Sequence, residues 1–116
     1  IPLDQRDEIF SKLFSFLKPG AGVYIEDYFQ VNSFSAEEVK SLAEHVYCGK
    51  LPSKKEYMDM LTRNGFQEVR VDDKTDEWAN FTRDRYAAFL ANKEKFISIH
   101  NEATFDSLNV FYNATT

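Results

Sequence analysis

The 116-residue chain is poor in the residues that mark several specialised classes of protein. Its single cysteine, Cys48, excludes an internal disulfide framework and fits a reducing compartment, so we expect a cytoplasmic protein. The sequence has no apolar run long enough to cross a bilayer, so we expect no membrane partner. The 14 Lys and Arg residues are outnumbered by 19 Asp and Glu, giving a net charge of -5. That balance argues against nucleic acid or an anionic membrane as the main partner.

Glycines and metal-binding side chains are also scarce. Only four glycines are present, and Gly20-Ala21-Gly22 follows a helical pattern, whereas a dinucleotide-binding loop follows a strand. We therefore predict no cofactor-binding residues in this chain. The stretch Asp72–Asp76 spells D-D-x-x-D but is better explained as a turn with a helix cap at Asp76, and no Cys or His pair has zinc spacing. We predict no metal site.

The patterns that are present predict a helix-rich α/β fold in the order α-β-α-α-β-α-α. A helix face runs from about Asp4 to Lys18 and ends at Pro19-Gly20. Capping boxes at Ser35 and Ser53 begin two further helices, the second ending at Asn64-Gly65. The remaining predicted elements are strands at 23–29 and 67–73, a long helix from Thr75 or Asp76 with a break near 91–93, and a last helix through 105–112.

Two strands are too few for a sheet that helices cover on both faces. We therefore expect residues 1–116 to be a single partial domain with an incomplete sheet. An apolar strand at 23–29 with unpaired edges would invite self-association, so we expect the chain to form dimers or larger oligomers.

The end of the first predicted strand is the leading candidate for a site, because ligands of open parallel sheets bind beyond the carboxyl ends of strands. Asp27 could hold an amine or a hydroxyl group there, and Tyr28 could stack on a cation or form a hydrogen bond. The alternative is that Tyr28 belongs to the core and the acid caps the next turn.

Two other residue types invite a functional role. His45 lies on the next predicted helix, close in sequence to Tyr47 and Cys48, and could line a pocket, although a surface position is the default for such a histidine. Cys48 has no base beside it in the sequence, so a semi-buried structural thiol is the simpler interpretation. We predict no catalytic residue from the sequence.

The passage from Leu17-Lys18-Pro19-Gly20 through Asp27-Tyr28 resembles the helix and fifth strand of class I S-adenosylmethionine-dependent methyltransferases. Glu56-Tyr57, with Gly65-Phe66 after it, looks like the following helix and the sixth strand of that family. Asp73–Trp78 and the long helix beyond are similar to phosphoethanolamine and other small-amine N-methyltransferases. The resemblance covers nearly the whole chain.

This resemblance implies a Rossmann-like fold of which the chain is the C-terminal part, without the cofactor half. It implies S-adenosylmethionine as the cofactor of the parent enzyme and none for this chain alone, which we expect to be inactive. Tyr28 is implied to line the substrate pocket. The stretch Tyr47–Lys50 matches a region that binds phosphate through arginine and tyrosine in the family, but it has no arginine here, which argues against a phosphorylated substrate.

Together these observations predict the substrate-side fragment of a methyltransferase acting on a small molecule, for which an amine is the candidate acceptor. The predicted substrate-binding residues are Asp27, Tyr28, His45 and Tyr47. The alternative is a non-enzymatic, acidic, helical module that covers a partner as a lid.

Overall fold

The computed structural model describes all residues from Ile1 to Thr116 and contains helices but no β-strand. The chain divides into two compact units, Ile1–Asp72 and Asp73–Thr116. The first unit begins with a short 3₁₀ helix, Leu3–Gln5, and contains α1 (Arg6–Phe16), α2 (Ala36–His45) and α3 (Lys54–Arg63). The second contains α4 (Thr75–Ala91), α5 (Lys93–Ile99) and α6 (Glu102–Ala114). None of these helices combines the length and the apolar character needed to span a bilayer.

The strands predicted at 23–29 and 67–73 are absent, so this part of the prediction is wrong. A strand exists only when its backbone amides and carbonyls pair with a neighbouring segment. The described chain offers one such pairing near the first segment, an isolated parallel bridge between Gln30 and Ser53, where the Gln30 amide donates to the Pro52 carbonyl oxygen at 2.8 Å. The segment 23–29 itself, which ends just before Gln30, runs between α1 and α2 without forming a ladder.

Both predicted capping boxes are present in the structure. They could be predicted from the sequence because all of their contacts lie within one turn of chain. The Ser35 hydroxyl accepts from the Glu38 amide, and the Glu38 carboxylate accepts from the Ser35 amide at 2.7 Å. Ser53 and Glu56 repeat the arrangement at the start of α3. Each pair supplies partners to amides that a helix start would otherwise leave without them.

The end of α3 is also as predicted. Gly65 has a left-handed backbone, with φ of +100°. Its amide donates to the Thr62 carbonyl oxygen at 3.1 Å, and the Phe66 amide reaches back to Leu61 at 3.2 Å. This is the Schellman pattern, which places Phe66 against the helix it follows. A Cβ on Gly65 would lie 2.8 Å from the Phe14 ring, so any other residue here would displace that ring as well as strain the backbone.

Phe10, Tyr57 and Met60 form the buried centre of the first unit. Partly buried apolar side chains surround it: Leu3, Leu13, Ile25, Leu61 and Phe66. The core therefore joins α1 to α3 and includes one side chain, Ile25, from the extended segment.

Aromatic side chains dominate the second unit. Phe89 of α4 stacks on Phe105 of α6 with ring centroids 4.6 Å apart, and meets Phe96 and Tyr112 edge to face at 5.3 and 4.8 Å. The predicted break near 91–93 is confirmed, since α4 ends at Ala91 and α5 begins at Lys93. The predicted cap at Asp76 is wrong, because α4 begins at Thr75, whose amide donates to the Asp73 carboxylate at 2.9 Å.

Candidate functional site

A buried polar cluster joins three parts of the first unit. Arg6 at the start of α1 is only 2% exposed, and its Nη1 donates to Asp27 Oδ2 at 2.8 Å. The Tyr57 hydroxyl of α3 donates to the same oxygen at 2.9 Å. Arg6 Nε also donates to the Ile1 carbonyl oxygen at 3.2 Å. We call Arg6, Asp27 and Tyr57 the Arg6 cluster.

Electrostatics explain why these three groups stay together. Burial removes the hydration of the Arg6 guanidinium, which costs on the order of several kcal/mol for an ion in a protein interior. The attraction of the Asp27 carboxylate offsets part of this cost. The guanidinium carbon also lies 5.6 Å from the centroid of the Tyr57 ring, within cation–π range. Burial, followed by the hydrogen bond to the Asp27 carboxylate, raises the pKa of Tyr57 well above its ordinary value, so the phenol remains a donor.

Asp27 and Tyr28, the two strand-end candidates, differ in their surroundings. The Asp27 side chain is 31% exposed and uses both oxygens, because Oδ1 accepts from the Tyr28 amide at 2.8 Å. The Tyr28 side chain is 45% exposed. Asp27 is thus tied to the protein interior, while Tyr28 next to it remains accessible to a ligand.

An open groove of about 660 Å³ lies on the first unit. It runs between the 3₁₀ helix, the start of α1, the loop 47–50 and α3. Apolar side chains such as Leu3 and Met60 form part of its surface. Its charged residues are four acids and two bases: Asp4, Asp7, Glu56, Asp59, Lys50 and Arg63. The excess of carboxylates favours a cationic ligand over an anionic one.

One wall of the groove is fixed by an ion pair across helices. Arg63 of α3 binds the Asp7 carboxylate of α1 through two nitrogens, with Nε at 2.8 Å from Oδ1. Asn64 Nδ2 donates to the same Oδ1 at 2.9 Å. The hydrogen bond from Arg63, which is the main cause, lowers the pKa of Asp7. Asp7 is thereby engaged by Arg63, and Asp59 is paired with Lys55 at 2.6 Å. The Glu56 carboxylate accepts from the Ser53 amide, so Asp4 is the groove acid better placed to face a ligand.

Of the other two predicted site residues, Tyr47 borders the groove and His45 does not. Tyr47 is 83% exposed, has a positive φ of 56° and borders the groove. His45 is the last residue of α2 and is exposed, and it does not line the groove. Cys48 is buried at the groove, and its thiol donates to the Lys50 carbonyl oxygen at 3.2 Å. Asp27 and Tyr28 are likewise absent from the groove lining.

Sequence patterns offer no reason to select Arg6 as a functional residue of this region. It lies among acids at a helix start, where an arginine is ordinarily solvated. Tyr57 was visible as part of the apolar face of α3, but its hydroxyl partner was not. The contacts span 21 and 30 residues of chain, and no local pattern encodes a pairing at that distance.

The residues present do not fit a cofactor that is held by a glycine-rich loop. Gly20 has φ of +81° in a turn after α1, where the Ala21 amide donates to the Lys18 carbonyl oxygen at 3.0 Å. The glycines thus end one helix and do not present free amides at the start of another, as such a loop requires. The described chain also contains no group of three His, Cys, Asp or Glu side chains arranged to hold a metal ion.

Comparison with known proteins links the chain to methyltransferases. No family model matches the sequence. The chain is 26% identical over 113 residues to the phosphoethanolamine N-methyltransferase of Triticum aestivum, covering 97% of this chain and 22% of that protein. It is 28% identical over 111 residues to the enzyme of that name from Plasmodium falciparum, covering 94% of this chain and 41% of the other. Phosphoethanolamine N-methyltransferase 1 of Arabidopsis thaliana is 29% identical over 107 residues.

The resemblance inferred from the sequence is confirmed: the chain is a relative of methyltransferases. More narrowly, it is related to a segment of the phosphoethanolamine N-methyltransferases, since all six matches carry that name. The chain spans only about a fifth to two fifths of the length of these relatives.

Proposed function

We propose that this chain forms the acceptor-binding side of an S-adenosylmethionine-dependent methyltransferase that acts on a small amine. The observation that carries the proposal is the match to phosphoethanolamine N-methyltransferases over nearly the whole chain. These relatives, by their name, methylate a nitrogen compound. The non-enzymatic lid module is not favoured by the comparisons, which contain methyltransferases and no such module.

The groove supports an amine as the acceptor. Four carboxylates against two cations give it a negative character, which attracts an ammonium group and repels a phosphate. Arg63 is paired with Asp7, and Lys50 lies within electrostatic range of Glu56, so each groove cation already interacts with a carboxylate. Tyr47 at the rim could stack on the cation.

In this proposal the chain orients the acceptor, and the rest of the parent protein binds the cofactor within a Rossmann-like fold. S-adenosylmethionine supplies the methyl group when it is bound. We propose the groove, and Tyr28 outside its lining, as two acceptor contacts that fix the amine relative to that methyl group. Such positioning alone contributes much of the rate of a bimolecular transfer. We infer that the isolated chain neither binds the cofactor nor turns over.

Two measurements test this function. In the protein that carries this chain, we expect methyl transfer from S-adenosylmethionine to ethanolamine, and no transfer to any small amine would overturn the proposal. With the isolated chain, calorimetric titration with S-adenosylmethionine should give no heat of binding. One-to-one binding at micromolar concentration would contradict the inference that the cofactor site lies elsewhere.

A variant pair tests the amine at the groove. Asp59→Asn removes a groove carboxylate that is paired with Lys55 on α3, and Glu77→Gln removes a carboxylate of the second unit that is paired with Lys74, just before α4. A unit charge at about 4 Å in water contributes about 1 kcal/mol, so Asp59→Asn should weaken ethanolamine binding about fivefold. Glu77→Gln should leave it unchanged. Equal effects of the two variants would remove the groove from the proposal.

We also propose that the chain self-associates and that the protein is cytoplasmic. Val23 and Val31, in and after the extended segment, are 40% and 59% exposed, and no ladder covers the backbone between Gly22 and Phe29. An exposed segment of this kind pairs readily with a second copy. Light scattering at increasing concentration should show a rising mass, and a monomer at all concentrations would contradict it.

A further inference from the structure

The Arg6 cluster lies directly beside the exposed tyrosine of the candidate site, and nothing in the proposed function uses Arg6 or Tyr57. The carboxylate of Asp27 is its centre. Oδ2 accepts from both Arg6 and Tyr57, at 2.8 and 2.9 Å, and Oδ1 accepts from the Tyr28 amide at 2.8 Å. Each oxygen therefore accepts at least one hydrogen bond from the protein.

We propose that Asp27 is a positioning residue that holds Tyr28 in place, and that it does not itself bind the ligand. Arg6 and Tyr57 fix the carboxylate, and the carboxylate fixes the backbone at Tyr28. This inference rests on the proposed function, because it takes Tyr28 as the residue that contacts the acceptor.

Occupancy of the oxygens is the first argument. A carboxylate oxygen has about two good acceptor directions, and Oδ2 already fills both. An ammonium ligand at Oδ2 would have to displace the phenol of Tyr57 or the guanidinium of Arg6, whereas Oδ1, which accepts from the Tyr28 amide, retains one acceptor direction. Displacing the guanidinium would leave a buried charge without its partner, which is strongly unfavourable.

Anchoring is the second argument. Arg6 is 2% exposed and Tyr57 is 7% exposed, so both donors are set by the packing of α1 and α3. Tyr57 is also part of the core with Phe10 and Met60. The Asp27 carboxylate is held by donors from two helices, and it in turn accepts from the Tyr28 amide. It therefore fixes the backbone at Tyr28, which no β-ladder holds. Such support from behind a contact residue is what keeps a binding geometry precise.

Amide hydrogen exchange at Tyr28, followed by NMR, tests the inference without any need for activity. Tyr57→Phe removes one hydrogen bond to Asp27 and keeps the ring in the core, so the unit should stay folded. We expect the Tyr28 amide to exchange about tenfold faster in this variant, as for a loss of about 1.4 kcal/mol. Arg6→Lys should act in the same direction.

Asp7→Asn is the matched control. It removes an aspartate of α1 that is also paired with an arginine, but this pair is exposed and does not reach Tyr28. It should leave the exchange of the Tyr28 amide unchanged. Unchanged exchange in both Tyr57→Phe and Arg6→Lys would overturn the inference.

Measurements of ethanolamine binding then distinguish a positioning role of Asp27 from direct contact between Asp27 and the ligand. If Asp27 positions Tyr28, Tyr57→Phe and Asp27→Asn should weaken ethanolamine binding by similar factors, and the double variant should be no weaker than the weaker single variant. Loss of binding in Asp27→Asn with normal binding in Tyr57→Phe would identify Asp27 as a contact residue and overturn the inference. If ethanolamine binds to no form of the protein, the proposed function fails, and the exchange data still decide the role of Asp27.

Discussion

The two units of the chain are stabilised in different ways. The first unit has a small core of three buried side chains and depends on long-range polar contacts, above all the Arg6 cluster and the Asp7–Arg63 pair. The second unit has a set of interlocked aromatic rings around Phe89. One of its two arginines, Arg85, lies over the Tyr112 ring at 4.7 Å and donates to the Thr115 hydroxyl at 3.3 Å.

This difference follows from geometry. Charged contacts have fixed directions and few partners, so they can hold an extended loop at one defined point. Ring contacts are many and weakly directional, so they suit helices that pack side by side. The candidate site lies in the first unit, where a loop without strand pairing has to be held in place.

Removing the carboxylate of the Arg6 cluster should produce the largest effect. Asp27→Asn leaves Arg6 buried without a negative partner, and breaking such a pair costs about 3–5 kcal/mol when both members are buried. Because Asp27 is about a third exposed, we expect a loss of about 2–4 kcal/mol in the free energy of unfolding, measured with denaturant. Asp7→Asn should have a much smaller effect, and equal losses would show that burial of Arg6 does not decide the stability of this unit.

The matching test in the second unit is Phe89→Ala. Phe89 contacts three other rings, and it is partly buried, so we expect a loss of about 2–3 kcal/mol, below the range for a fully buried phenylalanine. Near-ultraviolet circular dichroism during unfolding should report the change. Phe16→Ala, at a side chain that is 82% exposed, is the control and should be nearly neutral. A neutral Phe89→Ala would contradict the idea that ring contacts stabilise this unit.

Gly65→Ala tests a backbone requirement of the first unit. The positive φ costs an ordinary residue about 1 kcal/mol, and the added Cβ would collide with Phe14. We therefore expect a total loss of about 1–2 kcal/mol in a thermal or denaturant measurement. Gly20→Ala has a similar φ but open space around it, so it should lose only the conformational part. Equal losses at the two glycines would exclude the steric contribution.

Alkaline pH should destabilise the first unit through Tyr57. Its pKa is raised in the folded protein, so the unfolded chain releases this proton first. Its contribution to stability is complete below the ordinary tyrosine pKa of about 10 and falls by up to about 1.4 kcal/mol for each pH unit above it. Denaturant midpoints between about pH 8 and about pH 11 should show a steeper decline than in Tyr57→Phe. Parallel declines would show that Tyr57 is not the responsible group.

Sequence reasoning succeeded where a contact is completed within a few residues. The capping boxes at Ser35 and Ser53, the glycine at the end of α3 and the break at Asn92 all depend on neighbours one turn away. It failed for the strand at 23–29, because β-propensity describes a surface that fits a sheet but cannot supply the partner. It also identified Asp27 without finding the two side chains that hold it.

Local sequence patterns were enough to predict the capped starts of α2 and α3 and the end of α3, and the residues around Pro19-Gly20 and Asp27-Tyr28 carry the resemblance to methyltransferases. The burial of Arg6 and its pairing with Asp27, which also accepts from Tyr57, emerge from the packing of α1 and α3 and from no local pattern. The two kinds of contact differ in how far apart along the chain their partners lie. Helix caps close over one turn of chain, whereas the pairing of a buried charge depends on how distant helices pack around it.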